Sequence, residues 1–334
     1  TSPTAMFDPA FLQEVSKYKV ARYMWWQDEP QNKAITWTTR STPANELVRG
    51  LGGIPIETMV ALANQSNTDP WFSIPWNADE DFVRRFATYV RDNLSSTRKV
   101  YVELSNEVWN GVYPVAAQAR NEGLAAGLST NAFQAQMFRY AQKTAWAMKI
   151  WTEVFAGQSQ RLVRIASSQH ANPWVGRQIL SFGNTASYVD AYSTAPYFGH
   201  GLLSGANATA TVADKDRLFA ALSTMLDQMM SQGQANADLA KSYGKRFITY
   251  EAGQHIVSDN VVMTAALNRD PRMGQLYTQF LTQWKQRFGD VNTLFEDTSA
   301  IGKFGAFGMQ EYAGQPASQA PKYAALVNFR ATIQ

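Results

Sequence analysis

Two glutamates carry the chemistry most legible in this chain. Glu107 closes the run Val102-Glu103-Leu104-Ser105-Asn106-Glu107, and Glu251 closes Phe247-Ile248-Thr249-Tyr250-Glu251. Each run is apolar and strand-like, and each ends in a carboxylate. A pair of carboxylates of this kind can break a glycosidic bond: one protonates the leaving sugar oxygen, the other attacks or stabilises the anomeric carbon. In a (β/α)8 barrel, catalytic groups sit at the C-terminal ends of strands, so the placement of the two residues matters as much as their type.

The elements that must present them follow an alternating pattern. Strand-like runs are expected at 19–26, 70–76, 99–105, 161–168, 187–195, 246–251 and 303–310. Amphipathic helices lie between them: Phe133, Met137, Tyr140, Thr144, Met148 and Trp151 share one stripe, Leu218, Leu222, Met225 and Met229 a second, and Leu276, Phe280, Trp284 and Phe288 a third. Spacings of three and four mark helices with one buried face, and alternation with strands predicts an α/β fold with a parallel sheet. The fold class expected is a (β/α)8 TIM barrel, with residues 1–334 as a single catalytic domain. Seven strand runs are legible where eight are needed. Residues 8–17 read as a short helix, so the first strand is expected to be short, irregular or missing from the chain.

Composition narrows the function classes. The 334 residues suffice for a large core, and 45% hydrophobic content is that of a globular protein. Lys and Arg number 30 against 27 acidic residues, a balance that offers no basic footprint for nucleic acid. No apolar run reaches the length of a membrane span. The absence of cysteine removes disulfides, thiolate catalysis and zinc–thiolate sites. Together with a start at Thr1, this suits a processed protein exported from a bacterium, secreted or periplasmic, and leaves room for carbohydrate-binding or other modules upstream of Thr1.

The segment 101–110 and the order of the two glutamates closely resemble the retaining glycoside hydrolases of clan A, the (β/α)8 group of many cellulases, mannanases and xylanases. There an Asn-Glu pair ends the fourth strand and the nucleophile ends the seventh. The resemblance implies Glu107 as acid/base, Glu251 as nucleophile and Asn106 as the partner of a sugar 2-hydroxyl. It further implies that Arg22 and Tyr197 contact the nucleophile, although Arg22 is also placed to pair with Glu103, which reads as a brace for the sheet. Many families of the clan have Pro after the acid; here Val108-Trp109 follows, so the family stays open. The implied activity is retaining, double-displacement hydrolysis of a β-linked polysaccharide or oligosaccharide, β-glucan-type, with no cofactor.

Further residues read as lining the mouth. Trp25, Trp26, Trp76, Trp109 and Trp174 fall at or just past strand runs, where aromatic faces suit sugar rings. His170 and His255 are candidate hydroxyl contacts, as are Gln310, Gln254, Gln169 and Asn172; Glu311 reads as mouth-lining or solvated. The segment 27–53, with Trp37 and Arg40, and the loop at 256–272 are candidate walls of a cleft. Two alternatives remain open at this point: a carbohydrate-binding barrel without catalysis, and a metal hydrolase using His170, His200 and His255.

Overall fold

The structure, a computed structural model, describes residues 5–44 and 53–333. The chain divides into two compact units, each assembled from separated stretches.

The first unit takes in the described residues up to Gln169, then Trp174–Ser193 and Ala240–Arg246. It opens with α1 (Pro9–Val15), capped by Asp8, and β1 (Val20–Arg22). There follow α2 (Ile56–Ser66), β2 (Asp69–Ile74), α3 (Glu80–Asn93), β3 (Val100–Leu104), α4 (Pro114–Ala125), α5 (Ala132–Val154), β4 (Leu162–Ser168), α6 (Pro173–Ser181) and β5 (Ala191–Thr194). β1, β2, β3 and β4 pair in parallel in chain order, and β2 and β3 are buried at every position. That burial explains their near-continuous apolar sequences, since a parallel sheet is covered on both faces. The sheet continues through β5 to β7 (Arg246–Thr249), whose first residue donates its N–H to Asp190 O.

Local rules set the helices. In α3, the Asp79 carboxylate accepts from Phe82 N at 2.8 Å, Glu80 and Asp81 occupy the first turn and Arg91 the last. Each charge complements the helix dipole. Phe82, Val83, Phe86, Ala87 and Val90 form its buried face. α4 and α5 approach so closely that a Cβ on Gly123 would lie 2.2 Å from Ala135 O.

The second unit takes in His170–Pro173, Thr194–Leu239 and the described residues from Phe247 onward. It holds β6 (Tyr197–Phe198), most of α7 (Lys215–Ser242), the end of β7, β8 (Gly253–Gln254), α8 (Val261–Asn268), α9 (Pro271–Arg287) and α10 (Pro321–Ile333). β6 and β8 pair in parallel, with Tyr197 opposite Gly253. Phe198, Tyr277, Phe280 and Trp284 are fully buried here.

Ahead of β1, the described residues contain the expected short helix, α1, and no strand. Two expectations need correction. The run 303–310 is not a strand: it turns at Gly305, with φ of +122°, and only isolated bridges join Gly302 to Gly305 and Thr298 to Gln310. Glycine in a strand interior supplies no side chain to pack and permits such turns, and two of them, at 305 and 308, interrupt this stretch. The loop at 256–272 contains α8. In the segment 27–53, Arg40 stacks over Trp37 at 4.0 Å and pairs with Glu57 at 2.6 Å, while residues 45–52 lie outside the described chain.

Candidate active site

Past the end of β3 the chain turns sharply. Ser105 N donates to Ile74 O at 2.8 Å, which carries the β2–β3 ladder one residue further. Ser105 and Glu107 then take positive φ, +55° and +44°. Left-handed backbone is uncommon for residues with a Cβ, and two cases flanking one asparagine concentrate strain in the acid-bearing turn. Asn110 holds that turn closed: its N–H donates to Glu107 O and its Nδ2 to Glu107 Oε2, each at 2.7 Å. Glu107 itself is half-buried.

Beneath the turn lies a buried polar network. Arg22 donates through Nε to Glu103 Oε1 at 2.6 Å, with its NH2 group 2.5 Å from the same oxygen and 2.9 Å from Asn106 Oδ1. Ser73 and Ser167 hydroxyls donate to the two Glu103 oxygens at 3.0 and 2.7 Å. Glu103 is completely buried, and this set of donors satisfies both its oxygens. Arg22 is thus the partner of Glu103 and, through Asn106, a brace for the turn. Asn106 is buried, and its Nδ2 makes no hydrogen bond among the described residues.

In the second unit, Glu251 follows β7 and is buried. The main chain is held on both sides of it: Tyr250 N donates to Thr194 O and Gly253 N to Pro196 O. Gly253 has φ of +134°, and a Cβ there would meet the Tyr277 hydroxyl at 2.6 Å, so only glycine fits. The Tyr197 hydroxyl donates to Glu251 Oε2 at 2.8 Å. Its ring is fixed edge-on by His255 (centroids 5.2 Å apart) and Phe307 (6.1 Å). Phe307 is itself tied down from behind, because the buried Lys322 ammonium donates to Ala306 O and to Phe307 O. Burial pushes that ammonium down to about 7.

His255 lies with its Nδ1 3.3 Å from His200 Nδ1. Burial, and then the neighbouring imidazole, lower its pKa. His170 does not join them. It is buried, with Nδ1 2.8 Å from Thr194 Oγ1 and Nε2 2.9 Å from Met229 O, and burial brings it down to about 4. A carbonyl only accepts, so Nε2 carries the proton and Thr194 donates to Nδ1. His170 is therefore a neutral internal strut with no nitrogen left for a sugar or a metal. Among the described residues no group of three His, Asp or Glu side chains is placed to hold a metal ion.

Other mouth candidates divide. Trp25 is exposed, and Trp174 is 41% exposed and stacked on Phe133. Trp26 packs against Phe11 and Tyr23. Trp109 is half-buried, its indole nitrogen sealed and without a hydrogen bond among the described residues. Trp76 is fully buried, with its indole N–H on Glu122 and the Lys143 ammonium over its ring, so it is a core residue and presents no face to a ligand. Gln310 is likewise internal, donating to Gln315 O, and Gln254 spends its amide on Ala306 O and Ile256 N. Gln169 is half-buried and Asn172 exposed. Glu311 is paired with Arg269 at 2.6 Å.

Sequence reasoning missed several participants. Ser73 and Ser167 carry no motif. Asn110 was legible only as the Asn of an Asn-Gly turn after the acid. Glu29, a carboxyl only 4% exposed, was also missed.

No family model matches the chain, and no curated protein matches it by sequence. Solved structures do. A family 51 arabinofuranosidase from Xanthomonas axonopodis pv. citri superposes with a TM-score of 0.57 at 11% identity, over 96% of this chain and 65% of that one. A family 51 α-L-arabinofuranosidase from Bifidobacterium longum gives 0.59 at 13%, over 96% and 66%. An endo-β-1,4-mannanase from Thermotoga petrophila gives 0.50 at 10%, over 100% and 75%. The chain spans about two thirds of the length of the two arabinofuranosidases. At such identities the likeness is one of fold, and it places this chain in the TIM-barrel class, with short and irregular strands. Among the described residues no helix is long and apolar enough to cross a membrane.

Proposed function

We propose that the chain is a retaining glycoside hydrolase acting on a β-linked polysaccharide, β-glucan-type, outside the cytoplasm. Glu107 is the acid/base and Glu251 the nucleophile. The observation that carries the reading is the 2.8 Å bond from the Tyr197 hydroxyl to Glu251, a carboxylate held at the end of β7 on a fold shared with glycosidases. The turn after β3 supports it with a half-buried Glu107 and, beside it, a buried Asn106 whose Nδ2 makes no hydrogen bond among the described residues.

The reaction takes two displacements. In the first, the Glu251 carboxylate attacks the anomeric carbon while Glu107 gives its proton to the departing glycosidic oxygen, leaving a glycosyl ester on Glu251. In the second, the Glu107 carboxylate takes a proton from water as that water attacks the same carbon, and the Glu251 ester bond breaks. Two inversions return the original anomeric configuration. Asn106 Nδ2 donates to the sugar 2-hydroxyl, and Tyr197 keeps the attacking carboxylate oriented.

The test is reducing-end release from β-glucans, mannans, xylans, arabinans and bacterial exopolysaccharides, comparing wild type with Glu251→Gln and Glu107→Gln, with the first-formed anomer read by NMR. Release by wild type with retention, abolished in Glu251→Gln, is the expected result. Release that survives in Glu251→Gln, or an inverted product, overturns the assignment.

A further inference from the structure

We infer that His200 and His255 form a two-histidine binding site for a divalent cation of the zinc class, and that an ion held there slows glycan cleavage. The binding stands apart from the function proposed above; the slowing rests on it.

The short parallel pair of β6 and β8 brings the two imidazoles together. Phe198 lies opposite Gln254, and His255 N donates to Phe198 O at 2.7 Å. The chain then turns through Gly199 and Gly201, with φ of +86° and +73° and His200 between them. A Cβ on Gly199 would lie 3.0 Å from Leu222 and 3.2 Å from Ile256, so glycine lets this turn pack closely. The His255 ring is fixed in place, edge-on to Tyr197 at 5.2 Å and to Phe307 at 5.3 Å. His200 is exposed and can turn to meet an ion.

The two Nδ1 atoms lie 3.3 Å apart, with the rings tilted by 58° and their centroids 5.0 Å apart. Zinc binds imidazole nitrogen at about 2.0–2.1 Å in tetrahedral geometry, which sets two such nitrogens about 3.3–3.4 Å apart. The spacing in the protein is already that edge of the tetrahedron. Imidazole suits zinc, copper and nickel, whereas magnesium and calcium take oxygen ligands. No third His, Asp or Glu joins the pair among the described residues, so water completes the coordination and the ion exchanges freely. No other imidazole or thiolate competes for it: the chain has three histidines and no cysteine, and both ring nitrogens of the buried His170 are engaged. The consequence for catalysis follows from the neighbours. His255 carries the ion against Tyr197, whose hydroxyl holds Glu251. A fixed positive charge there opposes the positive charge that builds on the sugar in an oxocarbenium-like transition state.

The test titrates the full chain with Zn2+ alone by isothermal calorimetry at about pH 7.5, where imidazole is neutral, with Mg2+ as the control. Wild type should saturate at one ion per chain and ignore Mg2+. Co2+ in place of Zn2+ should give the intense d–d absorption of a tetrahedral site. Changing even a group behind a metal ligand costs 10- to 100-fold in affinity, so His200→Ala and His255→Ala should each weaken Zn2+ binding by at least about tenfold. His200 is exposed, so its variant tests the site without disturbing the packing around Tyr197. Absence of saturable binding to wild type, or binding that persists in the double variant His200→Ala/His255→Ala, overturns the site. On a cleaved glycan, saturating Zn2+ should lower kcat/KM of wild type several-fold, and a chelator should restore it. The same Zn2+ concentration should leave His200→Ala at its own metal-free rate. Binding with no change in cleavage overturns the inhibitory role. Failure of wild type to cleave any glycan would instead strike at the proposed function, and the calorimetry still decides the site.

Discussion

The Tyr197 hydroxyl and Glu251 Oε2 stand 2.8 Å apart, with the tyrosine ring clamped between His255 and Phe307. A hydrogen bond to a charged group is worth about 1.5–3 kcal/mol, and the clamp means the hydroxyl needs no reorganisation to make it. Tyr197→Phe is expected to lower kcat/KM by about 10- to 100-fold, at about 1.4 kcal/mol for each factor of ten, with little change in stability. Steady-state kinetics on the cleaved polymer checks this. Activity within about twofold of wild type would remove Tyr197 from the site.

Arg22 and Glu103 form the buried ion pair under the acid-bearing turn. Removing one partner leaves an uncompensated buried charge, which costs about 3–5 kcal/mol. Arg22→Met is expected to lose that much in urea denaturation, and the double variant Arg22→Met/Glu103→Met to recover part of it. If the double variant is no better than the single, the ion pair is not what the loss measures.

His170 supplies a pH dependence. Its folded pKa is depressed to about 4 from the usual 6.5. Over that interval the unfolded chain binds the proton and the folded chain does not. The stability from the neutral buried ring is therefore whole above about 6.5 and drains away as pH falls toward 4. Two and a half units correspond to about 3 kcal/mol. Stability curves of wild type and His170→Gln should converge as pH drops through this window; parallel curves would contradict the assignment of His170 as a neutral strut.

Gly123 tests the closeness of α4 and α5. Alanine there sets a methyl against Ala135 O, and overpacking of this kind costs about 1–3 kcal/mol. Gly111, which has open space around its Cβ position, is the control. Gly111→Ala should change the unfolding midpoint little while Gly123→Ala lowers it clearly. Equal effects would mean that the helices can move apart freely.

Much of the fold could be read in the chain because the signals are local. The stripe Phe133–Trp151 predicts the helix at Ala132–Val154, and the runs at 70–76 and 99–105 predict β2 and β3, since periodicity and burial on both faces are written in neighbouring residues. The same logic failed at 303–310, where an apolar-looking run contains two glycines, at 305 and 308, and the chain turns at Gly305.

The sequence by itself determined the residue types at the strand ends: Asn106-Glu107 after one run, Glu251 after another, and the alternation that carries them. Only the tertiary structure decided who partners whom. Arg22 meets Glu103 across 81 residues of chain, His170 meets Met229 across 59, and Trp76 meets Glu122 across 46. Whether a tryptophan or histidine beyond a strand faces solvent or disappears into the core depends on those distant neighbours. So does the burial of Glu29: nothing around it in sequence marks it as a buried acid, yet only 4% of it is exposed. A pKa is set by desolvation and by charges within a few ångströms, and those distances exist only once the chain has folded.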